Sequence, residues 1–299
     1  MLYRAGTPIF EESPPGESPW GDVIEVRNSD PEPFFVVNLE SPIGEIPSTA
    51  FPNRLDMNLC ADEESISILE EAKINLVTIA NNHAGDCVGS DPSNTAQILN
   101  DSGIITPGEN VEIHYLHLPD QIVSFVSFNT FSKDANTERV LEQLKLAHQK
   151  STLVVLSVHW GIEYQGGPVS TEEKLAREFV DAGADVIWGH HPHVLQRMEW
   201  IKSTVDGHQA LVMYSLGNLL SDQWMFPDAL KTVLVKIEFK PHQIKSIQIL
   251  PIVMDSSIKK LILTDNAEEI LEISNRLNLS GLAMEGVEVR LQPIKQGSH

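Results

Sequence analysis

Cysteine is nearly missing from this chain: its 299 residues include two, Cys60 and Cys87. Without a CxxC pair or a longer ladder of thiols there is neither a zinc signature nor a disulfide framework. The two read as buried or idle thiols, with room for one bridge at most. Positive charge is also scarce. Lysine and arginine number 21 against 42 aspartates and glutamates, a formal net charge of −21. A long phosphate backbone would be repelled, so nucleic acid is not an expected partner. No apolar run reaches the length of a membrane span, and residues 1–15 lack the apolar stretch of a signal peptide. As written, the chain reads as cytoplasmic, with no signal peptide and no transmembrane segment. No low-complexity tract or Pro/Gly/Ser linker divides it. That favours one domain over residues 1–299, with an irregular lead-in at 1–20 and a C-terminal extension from about 256. Residues 296–299 read as an appended tail and take no part in the fold argument.

What the chain does have is histidine in one place. Gly189-His190-His191-Pro192-His193 follows an apolar run, 185–188, that begins after a Gly183-Ala184 turn. The run reads as a short buried strand, and the three histidines then fall on a loop at its C-terminal end, where open α/β sheets place their ligand sites. Pro192 fixes its own φ and biases His191 toward an extended backbone. His191 and His193, two apart, can then converge on a metal ion, which leaves His190 to the substrate or to the layer behind the ligands.

Other strands end in comparable residues. A buried strand at 34–37 runs into Asn38-Leu39-Glu40-Ser41-Pro42, and one at 75–80 runs into Asn81-Asn82-His83. There an amide offers a neutral oxygen ligand and an imidazole offers a titratable proton. The almost unbroken aliphatic run at 152–158, covered on both faces, delivers His159-Trp160-Gly161-Ile162-Glu163-Tyr164. A strand at 210–216 stops at Gly217-Asn218, and Leu219-Leu220-Ser221 should carry Asp222 past the site to a structural role. Helices are expected at 62–73, 95–102, 138–149, 171–182 (capped by Ser170 or Thr171) and 266–277. A strand is expected at 121–128, a short element at 22–27, and an antiparallel hairpin at 231–239 and 244–252 around Lys240-Pro241-His242. Four strand ends thus carry groups fit for a metal or a proton: Glu40, Asn82 with His83, His159, and His191 with His193. Imidazole with carboxylate and amide oxygen suits a divalent ion such as Mn, Fe or Zn, and the lack of thiolates argues against a structural zinc.

These motifs, in this order and together with Tyr214-Ser215-Leu216-Gly217-Asn218, resemble the CapA or poly-γ-glutamate capsule biosynthesis family. That family is a branch of the calcineurin-like metallophosphoesterases, and the resemblance covers roughly residues 20–255. It implies an α/β fold, a four-layer αββα sandwich with metals at one edge of the paired sheets. Glu40 would be the bridging carboxylate, Asn82, His159 and His191 would complete one metal site, His193 would reach a second metal, and His83 would protonate the leaving group. Asn38, Asn81, Glu163, His190, Asn218 and Asp222 would serve the substrate or stand behind the ligands. Family members open with a strand ending in Gly-Asp followed by Met-Leu. Met1-Leu2-Tyr3-Arg4 resembles the continuation of that motif with the Asp missing, so of two possible ions one should be held tightly. The implied function is a metal-dependent hydrolase of the phosphoesterase type, acting on a small-molecule or polymer substrate in capsule or related polymer synthesis. Two alternatives are a metal-dependent amide hydrolase or transferase acting on polyglutamate or peptide, and a non-catalytic subunit bound to other capsule-synthesis proteins.

Overall fold

The computed structural model describes residues 18–292, apart from 30, 32, 48–57, 90 and 109–110, together with the backbone of a small antiparallel ribbon of β1 (Tyr3–Arg4) and β2 (Thr7–Pro8). Met1 and Leu2, most of the lead-in and the tail at 296–299 lie outside the described residues. In chain order there follow α1 (Val23–Arg27), β3 (Val36–Asn38), α2 (Ile66–Glu71), β4 (Leu76–Thr78) and α3 (Pro92–Asp101). Next come β5 (His114–Leu118), β6 (Gln121–Asn129), α4 (Thr137–Lys150), β7 (Leu153–His159), α5 (Ser170–Asp181) and β8 (Val186–His190). The last are β9 (Met198–Lys202), β10 (Gln209–Met213), β11 (Lys231–Lys240), β12 (Gln243–Asp255), β13 (Lys260–Leu263), α6 (Ala267–Leu277) and β14 (Glu288–Leu291). Among the described residues no helix is long and apolar enough to cross a membrane.

Local chemistry sets most helix starts. Asp91 and Asn136 accept backbone N–H groups of the first turns of α3 and α4, and Asn266 does so for α6. In α5 the cap is Val169, not Ser170 or Thr171. The Glu172 carboxylate reaches back to accept the Val169 N–H at 2.8 Å, so a side chain inside the helix supplies what the capping residue cannot.

The larger sheet runs β5-β6-β7-β8-β10-β9, parallel through its centre and antiparallel at both edges. The second layer holds the parallel pair β3-β4 and the group β11-β12-β13, with β14 parallel to β12. Side-chain alternation shows that these share a layer. Val36 and Leu76 face the larger sheet, as do Val233, Ile247 and Ile249, while Val37, Val77, Ile252 and Met254 face Val23, Leu69 and Leu99 of α1–α3. On the far side of the larger sheet, Val154, Leu156 and Ile187 pack against Leu144 of α4 and Phe179 of α5. Three apolar cores therefore separate four layers, the αββα sandwich that the resemblance implied. The stretch from 260 to 291 is built into it: β13 and β14 pair with β12, and Ile273 and Leu277 of α6 enter the core between the sheets.

Two further expectations are corrected. Cys60 and Cys87 are not idle thiols but form a disulfide across 27 positions, a pairing that only the folded path of two loops could bring together. And β8 runs on through Gly189 to His190, so His190 lies in the strand, opposite His159 of β7, and only His191 and His193 lie on the loop.

Candidate metal centre

Strands β3, β4, β7 and β8 all end at one edge of the two sheets, and their polar end groups meet there. Asn82 Oδ1 is 2.7 Å from His159 Nε2, which lies 3.2 Å from His191 Nδ1 and 3.5 Å from Glu40 Oε1. The carboxylate of Glu40 and imidazoles of His159 and His191 converge within 4.8 Å of one another. His159 is buried, and its Nδ1 has no hydrogen-bond partner; Glu40 Oε1, also buried, accepts no hydrogen bond. A carboxylate oxygen and an amide oxygen can only accept, and a neutral imidazole has one proton to offer. The cluster is therefore short of donors, and its charge balance calls for a cation. Burial and the neighbouring imidazoles hold the pKa of His159 well below its ordinary value, and burial lowers that of His191. Neutral imidazoles are what a metal ion needs. The residues present thus fit a divalent ion.

His193 takes a different direction from the one its spacing suggested. Its Nδ1 lies 2.9 Å from Asn218 Oδ1 and 3.8 Å from Glu40 Oε2, so it touches the carboxylate from the side away from His159. The backbone explains this. His191 has φ of 95° and His193 of 61°, so the bias that Pro192 imposes on His191 is overridden. The tertiary frame holds the loop: the Pro192 carbonyl accepts the Tyr164 N–H at 2.8 Å, and β8 passes Trp160 and Tyr214 so closely that a Cβ on Gly189 would lie 2.0 Å from the Tyr214 carbonyl oxygen.

His190 points inward, with Nε2 at 3.0 Å from Ser157 Oγ, and burial lowers its pKa to about 3. Asn81 ties two strand ends together by donating to the carbonyls of Leu39 and Ile79, and Asn38 Oδ1 accepts from Thr78 at 3.3 Å. Glu163 is exposed, and its charge acts on both His83 and His191. Asn218 donates to Gln223, and Asp222 is not in the converging set.

His83 is half-buried and donates from Nδ1 to Asp86 Oδ2 at 2.9 Å. Burial disfavours its charged form, but the Asp86 hydrogen bond and the charges of Glu40, Asp86 and Glu163 outweigh it and raise the pKa. Asp86 is in turn held by the Leu59 N–H at 2.7 Å, beside the disulfide. Sequence reasoning passed over both Asp86 and Phe131. The exposed Phe131 ring lies 4.3 Å from that of His191. One signal was available for each: Asp86 follows His83 by three positions, and Phe131 follows the end of β6, whose neighbour β7 delivers a site residue. Tyr164 stacks on the exposed Phe226 at 4.3 Å and lies 5.7 Å from His193, so aromatic rings border the centre on two sides.

Below the centre, a cavity of about 1270 Å³ runs between the layers. It is bordered by consecutive residues of β3 (Val36–Asn38) and of β11 (Thr232–Ile237), and reaches Glu40, His159, His191 and His193. Each of the two strands has a partner on its other side, β4 and β12.

Fold and site together define a layered α/β domain with a donor-poor cluster of imidazole, carboxylate and amide where its strands end. Residues 5–223 match the model of the bacterial capsule synthesis protein family PGA_cap, and the chain belongs to that family. It is 31% identical over 191 residues to the capsule biosynthesis protein CapA of Bacillus anthracis, covering 56% of this chain and 45% of that protein. To the PGA biosynthesis protein CapA of Bacillus subtilis (strain 168) it is 30% identical over 189 residues, 56% of this chain and 48% of that one. The chain thus spans less than half the length of these relatives. Solved structures similar to it include a hypothetical protein from Thermus thermophilus (TM-score 0.48, 16% identity, 77% of this chain and 90% of that one). A novel phosphatase from Mycoplasma pneumoniae is also similar (TM-score 0.45, 12% identity, 86% of this chain and 92% of that one). These likenesses are too distant to carry a statement about activity.

Proposed function

We propose that this domain is a metal-dependent hydrolase of the phosphoesterase type that serves capsule or related polymer synthesis. The observation that carries this reading is the shortage of donors around Glu40 Oε1, where His159, His191 and Asn82 present further acceptor atoms and a divalent ion such as Mn, Fe or Zn would balance them. When bound, such an ion lowers the pKa of water and offsets charge on a phosphoryl oxygen. The chain's own residues supply the rest. Glu40, Asn82, His159 and His191 would hold the ion, with His193 and Asn218 on the far side of the carboxylate. His83, whose acid form the Asp86 hydrogen bond and charge favour, gives its proton to the departing oxygen. Phe131 and Tyr164 border the approach on two sides and offer it apolar ring surface. His190, Asn38 and Asn81 keep the ligand-bearing strand ends in place. The names of the Bacillus relatives support capsule synthesis as the setting, with a polymer or its precursor as substrate and other synthesis proteins as partners. The Cys60–Cys87 disulfide supports an oxidising compartment rather than the cytosol.

The test is turnover of phosphomonoesters and phosphodiesters after Mn loading, with His83→Ala and His191→Ala alongside. Activity that both substitutions abolish supports the reading. Release of glutamate from a γ-linked oligomer, with no phosphoester cleaved, would replace it with amide chemistry at the same residues. Silence in every assay from a metal-loaded protein would leave a binding subunit.

A further inference from the structure

At the opposite edge of the larger sheet, where the parallel strands begin, a second group of titratable side chains comes together from four separate segments. His148 stands at the end of α4, Asp185 at the entrance to β8, Asp206 and His208 in the turn between β9 and β10, and His242 in the turn between β11 and β12. The ligand-type atoms of His148, Asp206 and His208 lie within 4.8 Å of one another.

The orientation of the two rings is informative. His148 Nδ1 is 3.1 Å from the Gly183 carbonyl, and His208 Nε2 is 3.1 Å from the Ala184 carbonyl. A carbonyl oxygen only accepts, so each ring carries its N–H on that side. In the neutral tautomers this leaves His148 Nε2 and His208 Nδ1 bare. Both face one carboxylate, His148 Nε2 at 3.2 Å from Asp206 Oδ2 and His208 Nδ1 at 2.6 Å from Oδ1. Asp206 Oδ1 accepts the His208 backbone N–H at 3.1 Å, so with both rings in their neutral form the three side chains present only acceptor atoms to the space between them. Two imidazole nitrogens and a carboxylate oxygen, each ring pinned from behind by a backbone carbonyl, form the donor set of a transition-metal site. The ring of His242 lies 4.3 Å from that of His148 and is bonded to the buried Asp185 at 3.1 Å, closing the group on its inner side.

We infer that His148, Asp206 and His208 bind a divalent transition-metal ion of the zinc, nickel or copper type, with water completing the coordination. The ion would join the end of α4 to the β9–β10 turn, at the sheet edge opposite Glu40 and His159. The site is independent of the proposed hydrolase activity.

Zinc bound after equilibrium dialysis, measured by plasma emission, tests this in four proteins: the parent, Asp206→Asn with His208→Gln, His159→Ala with His191→Ala, and all four substitutions together. The double variant of the β9–β10 turn is expected to lose one zinc per chain relative to the parent. The His159→Ala, His191→Ala protein should keep that ion, and zinc should raise its melting temperature, while the fourfold variant should show neither effect. Equal zinc in the parent and the turn variant would overturn the site, as would a fourfold variant that zinc still stabilises. Asp206 lies on an exposed turn, so should the double variant fail to fold, Asp206→Asn alone gives the same reading.

Discussion

Asn82 and His159 are 77 positions apart in sequence, yet the amide oxygen of one lies 2.7 Å from Nε2 of the other. This contact joins the end of β4, in one sheet, to the end of β7, in the other, and makes the centre a product of sheet-on-sheet packing. Its two groups belong to different layers, so anything that shifts one sheet against the other alters the ligand set before it alters either strand.

Glu40→Gln keeps the shape of the side chain and removes its charge from a buried cluster that has no other carboxylate within the converging set. Metal affinity at this edge should fall by more than about a hundredfold, the upper end of what is lost when only a residue behind the ligands is removed. Titration in the Asp206→Asn, His208→Gln background confines the measurement to this centre. An unchanged affinity would remove Glu40 from the ligand set.

His191→Ala should lose more bound metal than His190→Ala. His191 Nδ1 faces His159 Nε2 at 3.2 Å, whereas His190 Nε2 is turned to Ser157. Metal content after dialysis checks this, and equal loss in the two variants would count against it.

The raised pKa of His83 fixes the sign of a pH effect. The acid form is present below the pKa, so turnover should fall as pH rises through it. In Asp86→Asn the charge opposing the effect of burial is lost and the hydrogen bond passes to a neutral amide oxygen that favours the imidazolium less, so His83 should titrate lower and the alkaline limb of the pH–rate profile should move to lower pH. A limb that stays where it was would detach His83 from the proton-transfer step.

The same Asp86 is held by the Leu59 N–H next to the Cys60–Cys87 bridge. A loop of this length closed in the unfolded chain is worth about 3.5 kcal/mol. Cys87→Ser should lower the unfolding free energy in a urea titration by about that amount. An unchanged midpoint would mean that the bridge does not form in the folded protein.

One tightly held ion is expected at the Glu40 edge, counted in the Asp206→Asn, His208→Gln background. In the proposed site Glu40, Asn82, His159 and His191 would supply four protein ligands to one position, while on the far side of Glu40 stand His193 and the neutral Asn218. Two ions per chain surviving dialysis would show that another residue completes a second site.

The sequence by itself determined which segments become strands and what each carries at its end. Period-two and unbroken apolar runs, stopped by Pro42 or Gly217, are local signals, and β3, β4, β7, β8 and β10 all deliver the residues so placed. The short edge strands β5, β9, β13 and β14 carry no comparable pattern, because their stability comes from the neighbour they pair with. Tertiary structure alone decided how the side chains are aimed. His191 adopts a positive φ against the local bias of Pro192, and His193 turns to Asn218 instead of joining His191. Cys60 finds Cys87, Phe131 lies beside His191, and His148 meets His208 from a distant part of the chain. Each of these depends on contacts between segments distant in sequence. Their energy is gained only when the layers close on one another, so no pattern within one segment can encode them.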